Sequence, residues 1–249
     1  MILAVDVGNT TVHFCLAERE GRDLQILQSR KYPTESQSFP FFSETGVRPD
    51  SLEGSVICSV VPDKKAIIEQ YLREQTGKQP VMVSSRCESG FSWQVKEPDR
   101  VGADRIADAC GALKRYPLPL VSVDVGTCVT FNVLNRERQF LGGAIAPGPH
   151  TSMDSLGSKA SQLFPAELTA PESSIGKNTA ACLQSGVVLG TASMIDGMLD
   201  RFAEELGESP TVVVTGGGAP IVEPSLKTPH FTDPELLIYG SLCLYDWNS

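Results

Sequence analysis

The chain has 249 residues, 41% of them apolar and 20% charged, an ordinary globular composition with length for one large domain or two small ones. Lys and Arg number 21 against 30 Asp and Glu, and the formal charge of −9 argues against a nucleic-acid binder with its basic face. No run of about 18 uninterrupted apolar residues suggests a membrane span, MILAVDVGNT has no basic leader, and the seven Cys sit singly without a CxxC pair, which together read as a cytoplasmic chain with reduced thiols.

MILAVDV (1–7) is an apolar run that stops at Gly8-Asn9 and resumes as TTVHFCLA, which predicts two strands joined by a tight turn. LQILQSRKY is a third strand, and residues 32–50 read as loop with a short helix. GSVICSVV is a buried strand. Pro62 then opens a helix that Gly77 closes. PVMVSS is a strand, 86–98 is irregular, and Asp99 to Tyr116 is helical, with Ile106, Cys110 and Leu113 on one face.

PLVSVDVGTCVTFNVL is a second strand-turn-strand, and QFLGGAIAPGPH a strand ending in a Gly/Pro loop. Asn178 to Glu205 is a long helix pattern, apolar almost all round and so expected to be buried. TVVVTGGGAP is a strand entering a glycine turn, and ELLIYGSLCLYD a closing helix. Hairpins mixed with βα crossovers predict an α/β fold with mixed sheets. The division falls at RYPLPL, giving halves 1–117 and 118–249.

The most informative feature is a repeat. Residues 3–12 read LAVDVGNTTV and residues 121–130 read VSVDVGTCVT, 118 residues apart. Each copy sets an Asp at a strand end, then a Gly that permits a tight turn and close approach of a ligand. Small hydroxyl and amide side chains follow. Backbone N–H groups in such a turn form an anion-binding concavity, and a carboxylate beside it suits a cation bridging phosphates. One copy alone would be an ordinary turn with an Asp cap. Two copies and a third turn, TGGGA, point to polyphosphate binding. Competing signatures are absent: GxxxxGK[ST], GxGxxG, GxSxG and HExxH do not occur, and His13, His150 and His230 lack metal-ligand spacing.

The two turns and the late TGGGA resemble the actin/Hsp70/sugar-kinase superfamily. VGADRIADA (101–109), VDVGTCVTF, LGGAIAPG, GKNTAACLQSGVVLG and VVVTGGGA are similar, in order and near spacing, to type III pantothenate kinase over essentially the whole chain. The resemblance implies two duplicated actin-like (ribonuclease H-like) domains with an ATP cleft between them. It implies ATP-dependent phosphorylation of pantothenate to 4′-phosphopantothenate, the first step of coenzyme A synthesis, by direct in-line transfer.

The same resemblance supplies the roles. Asp104 is the general base, with Gly102, Ala103, Arg105 and Thr179 on the substrate. Asp6 is the Mg²⁺ carboxylate, and Val7, Gly8, Asn9, Thr10, Thr11, Val12, His13, Thr127, Gly216 and Gly217 form the ATP site. Asp124 holds K⁺ or another monovalent ion such as NH₄⁺, and a homodimer completes the site. The pattern departs at Val95, where the family often has Tyr against pantothenate; Phe91 and Trp93 lie near in sequence. Two other readings stay open on the residues: a kinase for another small hydroxylated acceptor, and a non-catalytic ATP-binding regulator of the same fold. Taken without the resemblance, Asp104 reads first as a helix-terminal charge favoured by the macrodipole and only second as a catalytic group.

Overall fold

In the computed structural model, which describes residues 1–20, 23–159 and 166–249, the chain forms two units: Met1–Arg115 with Glu235–Ser249, and Tyr116–Pro234. The first unit runs β1 (Ile2–Val7), β2 (Thr11–Glu20), β3 (Asp23–Pro33), α1 (Phe41–Thr45), β4 (Gly54–Ser59), α2 (Pro62–Thr76), β5 (Val81–Met82), β6 (Ser92–Trp93) and α3 (Ala103–Arg115). Its sheet has the order β3-β2-β1-β4-β5, with β1 antiparallel to β2 and parallel to β4. The continuous apolar runs of β1 and β4 follow from burial on both faces. Leu3, Val5 and Val7 face Phe14, Phe41, Ile68 and Leu72, while Ile2, Ala4, Val56 and Cys58 face α3.

The second unit runs β7 (Leu120–Val125), β8 (Cys128–Leu134), β9 (Gln139–Gly142), β10 (Ile145–Pro147), α4 (Pro149–Lys159), α5 (Thr179–Gln184), a π turn (Ser185–Leu189), α6 (Gly190–Leu206), β11 (Thr211–Thr215), α7 (Ala219–Val222) and β12 (Phe231–Thr232). Its strands lie in the order β9-β8-β7-β11-β12, with β10 added on β8. The first three are antiparallel neighbours, and β7, β11 and β12 are parallel. This is the order and direction of β3-β2-β1-β4-β5. The sequence repeat is therefore a repeat of topology, and each unit is an actin-like α/β domain.

Two expectations are corrected. The closing helix α8 (Leu236–Asn248) was expected in the second half, 118–249, but it packs in the first unit against α3, β1 and β4. It is apolar on nearly every side and needs burial. Glycines allow the close crossing: a Cβ on Gly240 would lie 1.8 Å from the Ala107 carbonyl oxygen, and one on Gly111 2.4 Å from that of Leu236. The long helix pattern was expected to bury much of its surface in the core and some of it at a dimer interface. Thr179–Leu206 is the one helix among the described residues long and apolar enough to cross a membrane, yet it buries one side only. Ala192, Ile195 and Leu199 pack on the β7–β8–β11 core, while Asp200, Arg201 and Glu204 lie on the outer side.

Candidate active site

The first Asp-Val-Gly turn is tied from behind. Gly8 N–H donates to the Thr11 carbonyl at 2.9 Å. Buried Thr34 donates its amide to the Thr10 carbonyl at 2.9 Å and its hydroxyl to the Gly8 carbonyl at 2.7 Å. The carbonyls are thus occupied, and Asn9, Thr10 and Thr11 stand exposed. Val7 and Val12, which the sequence reading grouped with the ATP residues, send their side chains into the α1–α2 core; what they can offer a nucleotide is backbone.

Strand register sets the neighbours of Asp6. His13 lies opposite it on β2, Lys31 opposite His13 on β3, and Cys58 beside it on β4. Directly paired residues share a face, so Lys31, His13, Asp6 and Cys58 form a row on the α3 side of the sheet. Burial, assisted by Lys31, lowers the His13 pKa to about 4, so the ring is neutral near pH 7. Its Nε2 sits 3.1 Å from Cys15 Sγ.

Asp104 is the second residue of α3, where an acid suits the helix dipole. Its Oδ1 accepts the Arg105 N–H at 2.8 Å. A Cβ on Gly102 would stand 2.4 Å from that oxygen, so glycine there makes room for the carboxylate. Burial raises the Asp104 pKa, opposed by the Arg105 N–H and the Arg105 charge. Arg105 is itself desolvated, which lowers its pKa against the pull of Asp104 and Asp108. The wholly buried Cys58 thiol is pushed up by burial first, then by Asp6, Asp104 and Asp108. Cys58, the register partner of Asp6, packs with Ala103 and Ile106 on either side of Asp104, so Asp104 and the first turn lie on the same face of the first unit. Phe91 and Trp93 pack edge to face at 5.0 Å and lean on the α3–α8 core, with half-buried Val95 nearby in sequence.

The second turn is braced from two sides. Gly126 N–H donates to the Cys128 carbonyl at 2.8 Å. Gly148 N–H and the Thr151 hydroxyl donate to the Thr127 carbonyl at 2.9 and 2.7 Å, and Gly218 N–H to the Val125 carbonyl at 2.7 Å. Gly216 has φ +97°, and a Cβ there would lie 2.1 Å from Asp124 Oδ1. One on Gly148 would lie 2.0 Å from the Gly126 carbonyl oxygen. Asp124, Thr127, Gly216 and Gly217 are thus gathered in one glycine-lined cradle. Gly148 and Thr151 belong to it as well. The sequence shows that segment as a strand ending in a Gly/Pro loop, with LGGAIAPG among the matching motifs, but assigns Gly148 and Thr151 no role. Thr179 stands on another element, opening α5, where the Asn178 side chain caps Ala181 N–H at 2.8 Å.

Among the described residues no three His, Cys, Asp or Glu stand close enough to bind a metal alone. Single carboxylates beside phosphate-sized turns fit a hard cation that takes its other ligands from phosphate and water.

The family model for type III pantothenate kinase matches residues 2–201. The curated type III pantothenate kinase of Persephonella marina is 33% identical over 254 residues, covering 100% of this chain and 99% of that protein. That of Anaeromyxobacter dehalogenans is 35% identical over 253 residues, covering both chains in full. Among solved structures, a Baf family protein of Campylobacter jejuni aligns with TM-score 0.61 at 16% identity over 98% of this chain and 97% of its own. A ROK hexokinase of Thermus thermophilus aligns with TM-score 0.52 at 14% identity over 98% and 97%. These two likenesses speak for the fold.

Proposed function

The chain belongs to the type III pantothenate kinase family and is an ATP-dependent pantothenate kinase, and from that premise we propose how its residues divide the work. The observation that carries the proposal is the shared face of Asp6 and Asp104: Cys58, paired with Asp6, packs with Ala103 and Ile106 on either side of Asp104, beside a turn whose polar side chains are exposed.

Asp104 accepts the proton of the primary hydroxyl of pantothenate as that oxygen attacks the γ-phosphorus in line and ADP leaves. A base for this step needs to be within hydrogen-bond reach and ionised at working pH. Burial that raises its affinity for protons suits it to take one. Arg105 meets the pantothenate carboxylate, and Gly102, Ala103 and Thr179 line the remainder of the acceptor site. Phosphoryl transfer depends on positioning and charge stabilisation. Asp6 holds Mg²⁺, which supplies charge neutralisation at the phosphates. Gly8, Asn9, Thr10 and Thr11 face those phosphates, with Val7, Val12 and His13 behind them. Thr127, Gly216 and Gly217 serve as nucleotide-binding residues, and Asp124 would hold the monovalent cation, K⁺ or NH₄⁺.

A homodimer completes the acceptor site. Gly186, Gly190 and Gly197 on the half-buried helix have open space where a Cβ would be, which suits a helix approached closely by another copy. The enzyme works in the cytoplasm.

The test is ADP release by wild type and Asp104→Asn with ATP, Mg²⁺ and pantothenate, in K⁺ and in Na⁺. Pantothenate-dependent turnover that needs K⁺ and falls about 100- to 10,000-fold in the variant is the expected result. A folded Asp104→Asn enzyme with wild-type turnover would remove Asp104 as the base.

A further inference from the structure

Register places the two repeated aspartates identically but gives them different flanks. Asp6 lies between His13 and Cys58. Asp124 lies between Thr130 on β8 and Thr215 on β11. Side chains paired across adjacent strands share a face with Cβ atoms about 5 Å apart. The second unit therefore lines up Thr130, Asp124 and Thr215 across three strands, where the first lines up an imidazole, a carboxylate and a thiol.

Thr130 is only 6% exposed. Its Oγ1 is buried and has no hydrogen-bond partner among the described residues. Burying a hydroxyl in that state is costly, so an oxygen left this way is a group waiting on a ligand. Its nearest polar cross-strand neighbour is the carboxylate of Asp124. The other side of that carboxylate is closed by Gly216, where a side chain has no room. One carboxylate, flanked by neutral hydroxyls in a close-walled cradle, matches a large monovalent ion, which exchanges its hydration shell for several oxygens. The His13 and Cys58 flanks of Asp6 offer soft nitrogen and sulfur in place of oxygen.

We infer that the Thr130 hydroxyl is a ligand of the monovalent cation at Asp124 and helps the second unit select that ion. The inference rests on the proposed role of Asp124 and adds a residue to it. Thr130→Val keeps the shape and removes the oxygen; Thr130→Ser keeps the oxygen.

The experiment is thermal melting of the full chain, with Mg²⁺ and a non-hydrolysable ATP analogue, titrated with KCl against NaCl at constant ionic strength. Wild type is expected to melt higher in K⁺. Asp124→Asn loses that difference. Thr130→Val raises the half-saturating K⁺ concentration roughly three- to tenfold, the scale of one lost neutral polar contact, and Thr130→Ser stays near wild type. A Thr130→Val protein that melts normally in Na⁺ and keeps the wild-type K⁺ response overturns the Thr130 assignment alone. Should Thr130→Val fail to fold, Thr130→Ala, which also removes the oxygen, carries the test: a weakened K⁺ response is expected, and a folded Thr130→Ala protein with the wild-type K⁺ response overturns the assignment. A K⁺ response that survives Asp124→Asn overturns the reading of Asp124 itself, and a wild type whose melting ignores the ion overturns both.

Discussion

The first Asp-Val-Gly turn is held mainly by one residue, Thr34, and presents three exposed polar side chains. The second is pinned by Gly148, Thr151 and Gly218, and two glycines press on it so closely that no Cβ fits. Both sit at the same station of the same strand order. Duplication supplied the frame, and the residues brought against each turn decide its stiffness and chemistry. The first is open and stands beside an acidic helix start, the second is braced and lined with oxygen.

The largest effect that tests this division concerns Asp104. Its pKa is raised by burial, so kcat/KM for pantothenate should fall on the acid side at a higher pH than an ordinary aspartate would give. Linkage has the opposite sense for stability. A carboxyl with a raised folded-state pKa binds its proton more tightly in the native state, so stability falls as pH rises through that pKa. Asp104→Asn, almost inactive, should therefore melt above wild type at pH 7; an unchanged or lower midpoint would count against a desolvated carboxylate.

Next come the glycines. Gly216→Ala meets Asp124 Oδ1 at 2.1 Å and Val125 backbone at 2.6 Å, at a positive φ. Urea unfolding should show a loss of roughly 3 kcal/mol or more, from overpacking plus strain. Gly8→Ala meets only the Thr11 carbonyl oxygen, at 3.3 Å, and its φ is not positive. That variant should lose under about 1 kcal/mol, the range of a mild local change. Equal losses would erase the claimed difference in stiffness.

The smallest effect is at His13. Its folded pKa is lowered from 6.5 to about 4, so the unfolded chain takes up the proton first and stability declines as pH falls from 6.5 toward 4. His13→Gln should flatten that decline in melting scans of the unliganded protein. An acid limb as steep as wild type would show that His13 does not contribute to it.

Much of this was legible in the chain itself. Apolar runs broken by Gly located the hairpins, and the helical spacing of Ile106, Cys110 and Leu113 located α3. What was not legible depends on register and distance. His13 follows Asp6 by seven residues but Thr130 follows Asp124 by six, because the second turn is one residue shorter. Sequence spacing alone therefore could not match the flanks of the two carboxylates. Helix α4 was missed because Pro149, His150, Thr151 and Ser152 have loop-like chemistry, and its start is fixed by contacts to the distant Thr127. The place of α8 was missed because Gly111 and Gly240 look ordinary until they meet.

That meeting has a consequence for synthesis on the ribosome. Tyr116–Pro234 is continuous and can close its sheet as soon as it emerges. The unit translated first is the one finished last. Its Ile2, Ala4 and Val56 face waits for Ile238, Leu242 and Leu244 at the far end of the chain. Until then that apolar face is open to solvent and to chaperones. A chain stopped at Pro234 should keep a protease-resistant Tyr116–Pro234 core and yield a digested amino-terminal unit.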